Sequence, residues 1–304
     1  MPHAHPLKIV LATLFVVLCW AYSPTGIHIA LQGYEPGHLA LARFIVASVF
    51  MAFVALWRGI SLPKAKDLPL LMLLGLFAVF VHHVAINFGQ RGISAGASSV
   101  LAQSTPLFSL LIGCFVLRQK ASAWHWGCLV LGMLGSAMVV AGDRDVGALN
   151  AHGLLVLLAA LSWSIYFTLQ KLHGHRYDGL TMVCYTIWAG TALLLVYLPG
   201  LAGAVKAAPL QADLAVLMLG VFPSALAYLG WAFVLSHTQV SRATMALYLI
   251  PPCAMLIAAL LLGEQPSLMV IAGAVVVVIS VLALNAPSRM RIQRMARPAR
   301  QISP

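Results

Sequence analysis

The sequence predicts an all-α polytopic membrane protein. Ten transmembrane helices are expected as two five-helix repeats of inverted topology, with both termini in the cytoplasm. Three observations carry this expectation: charge is scarce and confined to connections, apolar runs of spanning length recur along the chain, and the second half repeats landmarks of the first.

Composition comes first. Of 304 residues, 62% are AVILMFWYC and 8% are DEKR, against roughly 25% charged residues in an average globular protein. So few charges cannot cover a water-facing surface. Eighteen Lys and Arg against seven Asp and Glu leave a net charge of +11. The basic residues fall in connections rather than along one face, which argues against nucleic-acid binding and for a membrane topology signal. Cys19, Cys114, Cys128, Cys184 and Cys253 lie inside apolar runs without paired spacing, so they read as small hydrophobes and not as disulfides or metal ligands. No metal or other cofactor is expected.

A helix needs about 20 apolar residues to cross about 30 Å of hydrocarbon, where lipid offers the backbone no hydrogen-bond partner. Charge-free runs cover Ile9–Tyr34, Leu68–Gln90, Gly92–Leu117, Ala121–Gly142, Val146–Gln170, Gly179–Val205, Leu214–Ser241, Ala243–Gly263 and Gln265–Ser288, and Pro36–Trp57 is interrupted only by Arg43. That makes ten candidate spans. The opening Met1–Lys8 is short and weakly basic for a signal peptide, so the first run is expected to be a retained helix. Placing the N-terminus inside puts fourteen Lys and Arg on the cytoplasmic side, including five from Arg289 to Arg300, and only Arg91, Arg144 and Lys206 outside. This asymmetry sets both termini in the cytoplasm, and an inner or plasma membrane is the expected location.

The repeat is visible as an offset. Gly75-Leu76-Phe77 returns as Gly220-Val221-Phe222, Ser104-Thr105-Pro106 as Leu249-Ile250-Pro251, and Cys19-Trp20 as Ser162-Trp163. Expected boundaries are 1–143 for the first repeat, 144–285 for the second and 286–304 for a basic tail. Five spans per repeat invert the second copy, and such pairs place a site near mid-membrane between the halves, with alternating access as its natural use.

These residues resemble a known family. Trp20 and Trp163 in the first helix of each half, Arg43-Phe44 in the second, Pro106 and Pro251 in the fourth, and Leu261-Leu262-Gly263-Glu264 before a small-residue final helix are similar to the drug/metabolite transporter superfamily, EamA type. The resemblance covers Leu7 to Asn285 and implies a transporter of small metabolites, with aromatic amino acid exporters as the nearest branch. There are two departures: Gln119 stands where the family often has glutamate, and Tyr22-Ser23-Pro24 replaces the commoner Gly-Ser-Asn.

Polar side chains at lipid depth are costly and usually face a bundle interior or a water-filled cavity. His83, Asn87 and Gln90 make one helical stripe, and Ser99, Gln103 and Pro106 another. A substrate cavity is therefore expected between the first, third and fourth helices of one half and the sixth, eighth and ninth of the other. Trp20, Ser23, His83, Asn87, Ser99 and Gln103 would line the first side, and Trp163, Tyr166, Tyr228, Trp231 and Tyr248 an aromatic second side. Such walls suit a small amphipathic metabolite, with aromatic or hydrophobic amino acids as the leading class. Pro106 and Pro251 break a helical bond at mid-span and read as hinges or static kinks. His82 and His83 point about 100° apart on an α-helix, so one of them at most is expected to face the pathway. Arg43 lies near one end of its helix, where snorkelling or helix-end pairing is favoured over a substrate clamp.

Cys128, Gly132 and Ser136 form a small-residue seam, serving either helix packing or a homodimer contact. All seven acidic residues lie at or beyond span ends, so transport is expected to run by facilitated diffusion or exchange, or with protons carried by histidine. Gly92-Ile93-Ser94-Ala95-Gly96 also matches G-x-S-x-G. An intramembrane hydrolase pairing Ser94 with His82 or His83 is therefore one alternative, and a passive channel or scaffold is another.

Overall fold

A computed structural model describes residues 6–116, 118, 122–142, 151–173, 176–237 and 247–285, without the side chains of Lys171, Leu235, Ser236, Tyr248, Leu284 and Asn285. All regular secondary structure among the described residues is helical. Eight helices are long and apolar enough to cross a membrane: α1 Pro6–Ala30, α2 Pro36–Arg58, α3 Ala65–Gly89, α4 Ala95–Phe115, α5 Ala123–Gly142, α6 Ala151–Gln170, α7 Gly179–Tyr197 and α8 Leu210–Val234. The last two apolar runs give shorter helices, α9 Ile250–Leu262 and α10 Leu268–Asn285.

The outer surface is what a lipid-facing bundle requires. Leu56, Trp57, Leu260 and Leu268 are all more than 70% exposed, and apolar surface of that extent is stable only in an apolar solvent. Inside, Phe44, Leu39, Leu41, Met51, Ile187 and Leu219 are fully buried. Cys19, Cys128 and Cys184 are buried free thiols, and Cys114 and Cys253 are half-buried free thiols.

Helix starts echo the repeat. Glu35 and Asp178, 143 positions apart, are the N-caps of α2 and α7. The third helix of each half departs from α-geometry at matched places, with π-helical turns at Leu76–Val81 in α3 and Phe222–Leu226 in α8. Such wide turns are rare and cluster at functional sites; the apolar periodicity carries no mark of them. Each receives a side chain from the first helix of the opposite half. The Trp20 indole donates to Pro223 O at 3.2 Å and the Ser162 hydroxyl to Phe77 O at 2.7 Å.

Helix α4 is interrupted rather than merely kinked. It runs as Ala95–Ala102 and Thr105–Phe115, with a turn at Gln103-Ser104 between them. Pro106 has no N–H for the carbonyl of Ala102, and the Thr105 hydroxyl donates to that oxygen instead, at 2.9 Å. Pro251 likewise opens α9 within its first turn.

The small-residue seam is filled from within the chain. The Ser280 hydroxyl of α10 donates to Cys128 O at 2.8 Å, and a Cβ added at Gly132 would meet Ser280 Oγ at 2.5 Å. This face of α5 therefore packs on α10 of the same molecule and carries no argument for a homodimer.

Candidate functional site

A cavity of about 470 Å³ lies where the two halves meet. The six helices expected from the sequence all contribute to it. Trp20 and Ser23 come from α1, His83 from α3, Gln103 and Pro106 from α4, Trp163 from α6 and Tyr228 from α8, with Leu247 and Ile250 at the start of α9. Two further helices reach it, α2 through Arg43 and α5 through His125.

The aromatic wall is a continuous cluster. Trp20 meets Tyr228 edge-on at 6.3 Å between ring centroids, and Tyr228 meets Trp163 edge-on at 5.7 Å. Phe167, absent from the sequence expectation, lines the cavity and lies 5.3 Å from Trp163. Edge-to-face contacts hold each ring in a defined orientation. Repeat mates stand on both sides of the cavity: Trp20 with Trp163, and His83 with Tyr228.

Several expected lining residues are placed elsewhere. Asn87 is fully buried and donates from Nδ2 to Pro36 O at 3.1 Å, tying α3 to α2. Ser99 folds its hydroxyl back onto Gly96 O at 2.6 Å. Tyr166 and Trp231 stand behind the wall, at 5.1 Å from Trp163 and 5.7 Å from Trp20. Pro251 is buried beside the lining residue Ile250. The side chain of Tyr248 lies outside the described residues, as does Gln119. The stripe at 83, 87 and 90 failed as a lining because one helix end passes from cavity to packed interface within two turns.

Both adjacent histidines face the cavity, against the expectation of one. His82 turns toward α6, with Nδ1 2.9 Å from Ala159 O and its ring 4.7 Å from Trp163. His83 turns toward α2, with its ring 4.6 Å from Phe44. The wide turn just before them displaces the helix face, and the cavity is broad enough to receive both. Both ring nitrogens of His83 and the Tyr228 hydroxyl are buried with no hydrogen-bond partner among the described residues.

Arg43 overturns the expectation of snorkelling. Its side chain is 2% exposed and borders the cavity. Nε donates to Ser224 Oγ at 2.6 Å and Nη2 to Ser23 Oγ at 3.4 Å, while Nη1 has no partner among the described residues. Helix α2 packs between α3, α7 and α8, so the guanidinium is turned inward to the cavity instead of outward to the membrane surface.

The two ends of the bundle differ. At one end, Glu264 after α9 accepts from the backbone N–H groups of Ala95 at 2.8 Å and Gly96 at 3.0 Å. Gln90 donates to Pro24 O at 2.9 Å there, Arg91 pairs with Glu35, and Tyr34 donates to Asp213. Toward the other end the lining continues through Ser109, Leu110 and Phe167 to half-exposed His125. Ser94 is the N-cap of α4, accepting from Ala97 N at 3.1 Å, and does not line the cavity that holds His82 and His83. Its G-x-S-x-G setting is a helix start, not a strand-to-helix elbow.

Comparison with known proteins decides the class. A model of the EamA-like transporter family matches residues 7–141 and again residues 152–286. The chain belongs to the EamA-like transporter family. That family lies in the drug/metabolite transporter superfamily, so this is a membrane transporter. An uncharacterized transporter, YdfC of Bacillus subtilis, is 34% identical over 89% of this chain and 89% of its own length. A probable terminal-alkyne amino-acid exporter of Streptantibioticus cattleyicolor is 31% identical over 97% of this chain and 99% of its own. A solved crystal structure, named only as that of a protein, matches with a TM-score of 0.63 at 16% identity, covering 96% of this chain and 100% of that one. This last likeness concerns the fold alone.

Proposed function

We propose that this EamA-family transporter is a secondary carrier of the inner or plasma membrane that moves small amphipathic metabolites by alternating access. Aromatic or other hydrophobic amino acids are its leading substrates. Ten crossings in two inverted five-helix units, with both termini in the cytoplasm, are the topology this reading uses; the excess of basic residues on one side supports it. The observation that carries the reading is the cavity between the repeats. Its volume of about 470 Å³ suits a single small solute. Its lining combines the rings of Trp20, Trp163, Phe167 and Tyr228 with the polar groups of Ser23, Arg43, His82, His83 and Gln103. An apolar body and a polar head would each find a matching surface.

Under this topology the His125 end faces the cytoplasm and the Glu264 end faces outward, so the cavity is accessible from inside and sealed outside. Export then begins from the state described. No acidic residue among the described residues lines the cavity, which favours exchange or facilitated movement over a carboxylate proton relay. The deciding test is counterflow in proteoliposomes preloaded with unlabelled phenylalanine or leucine, with nucleosides and cationic drugs as competitors. Trans-stimulated uptake of the labelled amino acid is expected. Flux without trans-stimulation would indicate a channel, and absence of flux for every amino acid would remove the substrate assignment.

A further inference from the structure

A guanidinium taken out of water carries an effective penalty of several kcal/mol unless a counter-charge or a full set of hydrogen bonds meets it. Arg43 has neither. Two serine hydroxyls are its hydrogen-bond partners, and the ionisable groups its charge reaches are Tyr22, Tyr228, His82 and His83. Glu35, Asp67, Asp178, Asp213 and Glu264, the five acidic side chains among the described residues, all lie outside the cavity lining. The repeat mate of Arg43 is Thr186, so the charge belongs to one half only and is not required by the two-fold packing.

The geometry of the side chain is directional. Ser224 holds the Nε edge at 2.6 Å, and the Phe44 ring lies 5.7 Å from the guanidinium carbon. The Nη edge is left with one long bond to Ser23 at 3.4 Å and an unpartnered Nη1. Two parallel N–H donors on a rigid fork match the two oxygens of a carboxylate. The Tyr228 hydroxyl, also buried and unpartnered, is a further donor on the same cavity.

We propose that Arg43 is the anchor for a substrate carboxylate, so the carrier selects organic acids and amino acids by their carboxylate and does not require an ammonium group. This inference rests on the transporter reading above. With no carboxylate among the described lining residues, an ammonium group gains at most contacts with ring faces and carbonyls, whereas a carboxylate neutralises the Arg43 charge. The same argument makes exchange faster than net flux, because an empty cavity must reorient around a bare cation.

The test is calorimetric binding to the purified protein in nanodiscs, with phenylalanine, 3-phenylpropionate, phenylalaninamide and phenethylamine. The two carboxylates are expected to bind within a few-fold of each other, and the amide and amine about 10- to 100-fold more weakly, the range for a hydrogen bond to a charged group. Equal binding of amide and acid overturns the proposal, and so does binding of none. Arg43→Gln is expected to erase the preference by weakening the acids alone, with Arg43→Lys retaining part of it. An equal loss for acid and amide would mean that Arg43 is only structural. Should Arg43→Gln not fold, the wild-type series decides by itself. Failure of the transporter reading is separate: it appears as selective binding without counterflow, whereas counterflow with no preference for the carboxylate leaves that reading intact and removes this one.

Discussion

Glu264 offers the sharpest perturbation of the transport cycle. It stands after α9 in the second repeat and closes on the start of α4 in the first, accepting from Ala95 N and Gly96 N at 2.8 and 3.0 Å. Hydrogen bonds to a charged group are worth about 1.5–3 kcal/mol when well buried, but Glu264 is only half-buried. Loss of a helix cap, typically about 1 kcal/mol and up to about 2, is the appropriate scale. If opening the Glu264 end breaks this contact, Glu264→Ala shifts the ratio of the two conformations about 5- to 30-fold toward that opening. Glu264→Gln retains one acceptor and should fall between. The assay is labelling of Gln103→Cys, at the cavity, by a membrane-impermeant thiol reagent added from that side, in a background lacking the five native cysteines. The labelling rate should rise by the same factor. An unchanged rate in both variants, with the fold intact, would refute the idea that this contact seals the cavity.

Trp163→Ala removes a ring that meets His82, Tyr166, Phe167 and Tyr228 within 5.7 Å. At about 0.5–1.5 kcal/mol for an aromatic contact, the half-saturating concentration for an aromatic substrate should rise about 2- to 12-fold, while Trp163→Phe keeps most of the affinity; wild-type kinetics in the alanine variant would remove Trp163 from the site. Gly190 sits against the wide turn of α3, where an added Cβ would lie 2.8 Å from Gly75 O and closer still to Val79, so Gly190→Ala should cost about 1–3 kcal/mol and lower the thermal midpoint in detergent. An unshifted midpoint would show that the two helices can separate without penalty. Asp178 caps α7 through Thr181 N at 3.0 Å and Thr181 Oγ1 at 2.5 Å. Burial favours its neutral form, but the Thr181 hydroxyl and the first-turn N–H groups outweigh that and hold the carboxyl below its usual range. Its contribution is therefore complete above the unfolded value of about 3.9 and is lost as pH falls through the lower folded value. Asp178→Ala should cost about 1 kcal/mol near neutral pH, with the gap closing only in strong acid. A gap that already closes near pH 6 would contradict the cap.

How much was legible follows residue by residue. Trp20, Ser23, His83, Gln103, Pro106, Trp163 and Tyr228 were expected at a common cavity and line one, because polar or aromatic groups at mid-span have few other places to go. Asn87 and Ser99 were equally polar and equally deep, yet each donates to a backbone carbonyl away from the cavity. A side chain's type states that it needs a partner, and only the neighbouring helix states whether that partner is protein or solute. Phe167 and Thr105 carried no mark that set them apart from ordinary apolar or capping residues.

Arg43 shows the same division most clearly. Spacing and composition alone determine the spanning runs, the two repeats and the basic asymmetry, because hydrocarbon thickness and the cost of burying charge act on each segment independently. They do not determine which way a side chain turns. That is decided where helices meet: Ser224 from the second repeat receives Nε, wide turns in α3 and α8 bring His83 and Tyr228 to the same space, and α2 packed on α3, α7 and α8 turns Arg43 to the cavity. Contacts between residues 181 positions apart leave no periodic trace in a chain, so the one uncompensated charge at the cavity becomes visible only in the folded bundle.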